Sequence, residues 1–393
     1  MARPFINVKL FGALGDGATD DTQAILNAIK SIPTLPSTEP KNAGPVLYFP
    51  EGIYLINATL TIERFFGLEI AGTGVHPVEN ISDVTITGSN GPRSVLIWNG
   101  TSSGTMMELR GVQGTTVRDL TFLGKRGTTG TRADRLLELT SLDGKGSSWI
   151  AIKNCHFRDA VTGIMCGGSS EKTDSEVLIE RVTFSTCDTG FKLTHPQNQN
   201  YLFNMLGANN CKCVIDADEG GGVNVQTAAL HNCGGSGTND YAFKFGAGVI
   251  QQGGGDVGIS VLNAVRHELT TKLLRVAGYV RVTCDGFNQS SPAPSTSGSP
   301  LIKLSNGALV FRNCRWQFAA PKILEFVTPT PSGAYCTVRF DHCEFPFFEE
   351  AGDPPRFPVL SVILNPAQAR CYYSFFRCDG PGHIPLPDLK SAW

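Results

Sequence analysis

Apolar and polar residues alternate in short runs along most of this chain, and the runs recur. Residues 152–157 (IKNCHF) are followed by 163–166 (GIMC), and residues 179–184 (IERVTF) by 190–193 (GFKL). In both copies six residues separate the phenylalanine from the glycine (163−157 and 190−184). A period of two within each run marks a strand, so each unit reads as two short strands. The first strand recurs at 117–122, 282–287, 311–316 and 340–345. The second recurs with its middle residue at 108, 138, 165, 192, 216, 244, 275, 303 and 325, at intervals of 30, 27, 27, 24, 28, 31, 28 and 22. Strands that keep register while the turns vary in length predict an all-β solenoid, a single-stranded parallel β-helix of about ten coils. Neighbouring coils then stack about 4.8 Å apart.

The start of the chain breaks this rhythm. Residues 7–14 alternate as a first strand. Ala24, Ile25, Ala28, Ile29 and Ile32 fall at helical spacing. They predict a helix over 22–32, capped by Thr19 or Asp20, stopped by Pro33, and covering the open end of the stack. Residues 45–56 read as two strands around a Pro-Glu-Gly turn. The organisation expected is an entry strand, capping helix and first coil over 1–56, a β-helix over 57–380, and a Pro-rich tail over 381–393. Longer turns fall at 124–134, 167–175, 234–240, 246–256 and 288–300.

Composition sharpens this picture. Charged residues are 17% of the 393, below the usual ~25%, and glycines number 44, as tight turns require. A net charge of −2 argues against general nucleic-acid binding. No apolar run approaches the ~20 residues of a membrane span, and residues 1–10 lack the apolar core of a signal peptide, so synthesis without export is expected. Asn-Cys occurs four times, at Asn154, Asn210, Asn232 and Asn313. Cys155, Cys314 and Cys343 share one place in the repeat. They read as stacked interior thiols beside asparagines at coil corners, where Asn tolerates left-handed backbone. Cys211 and Cys213 lack zinc-ligand spacing, so no metal and no cofactor is expected.

The sequences of residues 8–24 (VKLFGALGDGATDDTQA) and 46–54 (VLYFPEGIY) resemble the N-terminal signature of pectate-lyase-superfamily right-handed parallel β-helices. That group includes phage tailspikes and capsule depolymerases. The resemblance implies a right-handed coil, and a structural entry turn at 15–17, so Asp16, Asp20 and Asp21 are read as turn and cap residues. It stops before any catalytic motif and leaves activity open. The polygalacturonase-like set of catalytic motifs is absent.

Register supplies the candidate chemistry. In each second strand the middle residue points outward, giving the column Glu108, Glu138, Met165, Lys192, Asp216, Lys244, Arg275, Lys303, Glu325. Its basic members, Lys192, Lys244, Arg275 and Lys303, could track an anionic polymer, or form a solvated ladder relieved by Asp216. Glycoside hydrolysis needs two carboxylates, one of them kept protonated. Asp216, Asp218 and Glu219 form the densest acidic cluster of the coils. Asp216 is expected ionised between Lys192 and Lys244, with Asp218 or Glu219, in a less basic setting, as proton donor. Glu171, Asp174, Glu349 and Glu350 read as loop charges.

The expected function is a virion-associated, tailspike-like protein made in a host cytoplasm. It binds a surface polysaccharide, with cleavage left open, assembles with other virion proteins, and forms a homotrimer that closes its flat faces. A catalytically silent structural β-helix is the alternative, and a secreted polysaccharide lyase the third reading.

Overall fold

The computed structural model describes residues 3–32, 44–75, 93–125, 130–167, 174–195, 198–246, 258–270, 272–291, 301–316, 324–326, 336–344, 371–378 and 390–392. The Pro33 stop, Glu171, the acidic pair at 349–350 and nearly all of the tail lie outside them. The fold is a right-handed parallel β-helix. Its residues form two compact units, Met1–Leu202 and Phe203–Trp393.

After the entry turn, which has two strands and then the helix, each coil of the first unit has three strands, where the alternation had suggested two. One sheet stacks Phe5–Asn7, Val46–Tyr48, Glu69–Ala71, Thr116–Arg118 and the first half of Ser148–Arg158. A second stacks Asp16–Asp20, Gly52–Ile56, Ser94–Trp98, Thr121–Leu123 and the second half of Ser148–Arg158. The third stacks Leu60–Glu63, Thr105–Arg110, Arg135–Thr140, Thr162–Cys166 and Thr189–Leu193. The run ending at Phe157 therefore spans two sheets. It bends at Asn154, whose φ of 48° is left-handed.

The second unit repeats the plan. Its counterpart of the third sheet stacks Cys213–Ala217, Phe243–Phe245, the first part of Leu274–Asp285, the first part of Ile302–Arg312, and Leu324–Phe326. Among the described residues this face has five strands in each unit, in line with the about ten coils expected from the spacing.

The corners behave as the Asn-Cys pairs predicted. Asn154, Asn210, Asn232 and Asn313 all have φ between 48° and 54°. Their amides reach the neighbouring coil: Asn154 Nδ2 donates to Asp119 Oδ1 (2.5 Å), Asn232 Nδ2 to Asn210 Oδ1 (2.6 Å) and Asn313 Nδ2 to Asp285 Oδ1 (2.9 Å). The cysteine after each corner points inward, and the eleven cysteines with described side chains are free and buried. Phe122 stacks on Phe157 at 4.8 Å between ring centroids, and Phe184 packs against Phe157 at 5.7 Å with its ring tilted.

Two local expectations are corrected. Residues 7–14 are not one strand: Asn7 accepts from the Lys9 N–H (2.9 Å), starting a 3-10 turn over Val8–Phe11. Asp174 is not a loop charge. It is fully buried, accepting the N–H groups of Ser147 (2.7 Å) and Gly167 (2.8 Å), and burial pushes its carboxyl up to about 6.

The helix forms at Thr22–Lys30 and buries Ile25, Ala28 and Ile29. It packs on Gly52–Ile56 and Leu60–Glu63 of the early coils, as a cap should. Asp20 Oδ1 accepts from the Thr22 N–H (2.9 Å), and Asp21 Oδ1 from the Leu14 N–H (2.6 Å). Asp16 holds the turn through the N–H groups of Ala18 (2.9 Å) and Thr19 (2.7 Å). All three acids thus fix the entry turn and helix start.

The cysteine packing is open to a direct check. Burial pushes the Cys155 thiol up to about 12, and a thiol kept protonated is a poor nucleophile. Titration of native protein with a chromogenic disulfide should therefore find at most one fast-reacting thiol, whereas unfolded protein releases all twelve. Several fast thiols in the native state would contradict this packing.

Candidate functional site

The outward column forms, but much of it lies flat rather than projecting into water. In the first unit Thr61, Glu108, Glu138, Met165 and Lys192 stack in register. Glu138 and Met165 are only 6% and 8% exposed. Glu138 Oε2 accepts from Thr105 Oγ1 and from Arg135, both at 3.0 Å. Glu108, in register with Glu138, has its carboxyl raised by burial against the pull of Arg110, with Glu138 and Glu63 adding to the rise. This pair of carboxylates stands in the same outward column as the basic members that mark it as a candidate site. Lys192 is half-buried beside Met165.

In the second unit the register is Asp216, Lys244, Arg275, Lys303, Glu325. The flanking Ile215, Ala217, Phe243, Phe245, Leu274 and Val276 point into the core and are essentially fully buried. Asp216 is 7% exposed and meets Lys244 Nζ at 2.5 Å. Asp218 forms an ion pair with Arg275, two coils further on. Its backbone N–H donates to Asp216 Oδ1 (3.2 Å), tying the two acids together. Asp218 Oδ1 is buried and has no hydrogen-bond partner. Burial raises the Asp218 carboxyl, with Asp216 adding to the rise, against the opposing pull of Arg275 and Lys244. Lys244 is held above its ordinary value: burial works against the ammonium, but Cys213 and Asp216 prevail. Glu219 is exposed.

Asp216, Asp218, Lys244 and Arg275 therefore come together as a half-buried, charge-balanced quartet. Lys244 and Arg275 are engaged by carboxylates rather than free to meet a polyanion. Asp218 is not in the less basic setting expected, since the corner after Ala217 turns it towards Arg275. Lys303 is half-buried and in register with Arg275 and Glu325. Among the described residues no group of three or more His, Cys, Asp and Glu is arranged to hold a metal ion, and no helix is long and apolar enough to cross a membrane. His267 is fully buried against Phe287 and Trp316, and burial pushes its imidazole down to about 4.

The fold defines a class, the parallel β-helix proteins, and comparison with known proteins places the chain in a family within it. The chain belongs to the rhamnogalacturonase A/epimerase, pectate lyase-like family, whose model matches residues 5–239, more than half of its length. No curated protein matches it in sequence. Among solved structures it is similar to the catalytic domain of a GH87 α-1,3-glucanase in complex with tetrasaccharides (TM-score 0.55, 12% identity), with 96% of this chain covering 69% of that one. It is similar to an N-terminal fragment of the bacteriophage Phi29 gene product 12 (TM-score 0.51, 13% identity), with 95% of this chain covering 66% of that one. A third similar structure is ORF18 of Geobacillus virus E2 (TM-score 0.49, 14% identity), where 96% of this chain spans 61% of the other. At these identities the likeness is one of fold.

The quartet predicts unequal roles for neighbouring lysines. Lys244→Ala leaves Asp216 buried without its cation and should cost about 3 kcal/mol. Lys303→Ala should cost no more than about 0.5 kcal/mol. Urea midpoints of the two variants decide this, and equal midpoints would contradict the pairing.

Proposed function

We propose that this protein binds a polysaccharide and cleaves it on the outward face of the second unit, with Asp216 and Asp218 as the working carboxylates. The observation that carries this is their contrast. Asp216 is held in an ion pair by the Lys244 ammonium. Asp218, two residues on, is raised by burial and keeps an oxygen without a partner. Two carboxyl groups whose surroundings push them apart are the requirement for an acid and a base on one sugar. Glu219, exposed at the edge, is the second choice of proton donor. Lys244 and Arg275 then serve mainly by fixing these acids, and Lys192 and Lys303 remain the candidates for contact with an anionic glycan. A lyase is the weaker reading, because the two cations nearest these acids, Lys244 and Arg275, are already paired and so poorly placed to act as its base.

Family membership supports the carbohydrate substrate. For the whole protein, the reading extends to a tailspike-like component of a virion, homotrimeric and seated among other virion proteins. The shared fold with a Phi29 protein is what favours this setting. A silent structural β-helix is the competing reading, and the charge balance of the quartet favours it, since a ladder that only needs neutrality would look the same.

Incubation with polygalacturonate, mannuronan, α-1,3-glucan and bacterial capsules separates these readings. Reducing ends should appear without the ultraviolet absorbance of unsaturated lyase products. Asp216→Asn and Asp218→Asn should each lower turnover about a hundredfold or more. Because the Asp218 carboxyl is raised and must be protonated to donate, the rate should fall as pH rises through its raised value. For the same reason its contribution to folding stability is present below the ordinary carboxylate value and lost as pH rises. Full activity in both amide variants would sink this site, and no product from any glycan would favour the silent reading.

A further inference from the structure

The turn leading from the third sheet to the first in the first unit carries a column of left-handed residues. Gly67, Gly114, Trp149 and Glu176 have φ of 69°, 61°, 58° and 53°. They stack in successive coils: the Gly67 N–H donates to Gln113 O (2.8 Å) and the Gly114 N–H to Ser148 O (3.0 Å), while Ser148 and Ile150 pair with Ser175 and Val177. Two coils use glycine here, as the backbone prefers. The third uses the largest side chain available. A bulky residue at positive φ is a true outlier, and such strain persists only where something else selects it.

Packing does not select Trp149, because it is 70% exposed. Backbone preference and burial therefore both argue against tryptophan, and it is present nonetheless. Its surroundings indicate what it is for. The two preceding coils, at Gly67 and Gly114, carry no side chain at this position, so that flank is open. Phe66, 50% exposed, lies beside Gly67, two coils or about 10 Å from Trp149. Between them, Gln113 bridges the coils of Phe66 and Ser148. Charged residues lie in the same turns: Arg64, two residues before Phe66, is ion-paired with exposed Asp143, Lys145 is exposed, and Glu176, one coil on from Trp149, accepts from Ser175 Oγ (2.5 Å).

We infer that Trp149 and Phe66 form a sugar-stacking platform, a glycan-binding site separate in sequence and in residues from Asp216 and Asp218. The apolar face of a pyranose ring would lie on the indole, and its hydroxyls would meet Gln113, Lys145 and Glu176. Two flat aromatics separated by an amide suit a chain of rings that are apolar on their faces and polar at their rims. A second protein copy is the less suitable occupant, since the core of a protein interface is depleted of charge and these two side chains share their turns with Arg64, Asp143, Lys145 and Glu176. The inference rests on the reading of the protein as a glycan binder, but on none of the residues proposed for cleavage.

The test uses the full chain and oligosaccharides of polygalacturonate, mannuronan and α-1,3-glucan. Trp98 and Trp316 are buried and Trp393 lies outside the described residues, so the component of the acrylamide-quenchable emission that belongs to Trp149 is identified by its loss in Trp149→Gly. At least one of these glycans should shield that component in the wild type. Trp149→Gly should weaken binding of that glycan at least tenfold, and Phe66→Ala should weaken it to a lesser degree. Trp149→Gly should also melt at or above the wild-type temperature, because glycine relieves the left-handed strain, so lost affinity cannot be lost folding. Shielding by none of the glycans would overturn the platform. So would binding unchanged in Trp149→Gly, which leaves the proposed function standing. A change in sedimentation-derived oligomeric state in Trp149→Gly would also overturn it, making the indole a contact between subunits. Loss of cleavage in Asp216→Asn with binding retained distinguishes the two sites.

Discussion

The fixed spacing of about 4.8 Å between coils is the constraint on which the rest of this protein depends. A residue in one coil stands directly over its counterpart in the next, so each position must be compatible with its own repetition. Aromatic rings satisfy this by packing on one another, as Phe122, Phe157 and Phe184 do. Thiols satisfy it by being small and apolar. Asparagine satisfies it twice, because its backbone accepts the left-handed corner and its amide donates to the coil before it, as Asn232 does to Asn210. The core is then less a cluster than a set of columns.

Charge is the one property that cannot simply be repeated, since like charges at this distance repel. The protein resolves this differently in its two units. In the first, Glu108 and Glu138 do repeat, with Arg110 and Arg135 drawn in beside them. In the second, Asp216 is answered by Lys244 in the next coil and Asp218 by Arg275 in the coil after. The second solution sets two acids in different surroundings within three residues, because one aspartate meets a cation one coil away and the other a cation two coils away.

Much of this was legible in the sequence, and what was not has identifiable causes. The repeat, the helix, the asparagine corners and the inward cysteines all follow from local pattern. The outward column was legible too, because alternation assigns faces. The third strand per coil was hidden because a left-handed residue such as Asn154 turns the chain without interrupting its apolar alternation. The Asp218–Arg275 pair was hidden because 57 residues separate the partners, and only the register of three coils brings them together. The burial of Asp174 was hidden because its partners are backbone N–H groups, which every sequence has. Trp149 gave no signal, since an aromatic residue beside a strand ordinarily points inward.

The central claim is that coil register, rather than local sequence, sets the state of the candidate acids. A double-mutant cycle between Asp218→Asn and Arg275→Gln, read by urea unfolding, addresses it most directly. Coupling on the order of 1–3 kcal/mol is expected for a half-buried pair held across two coils. Additive effects, with coupling within about 0.3 kcal/mol of zero, would contradict the pairing and with it the account of why these acids differ.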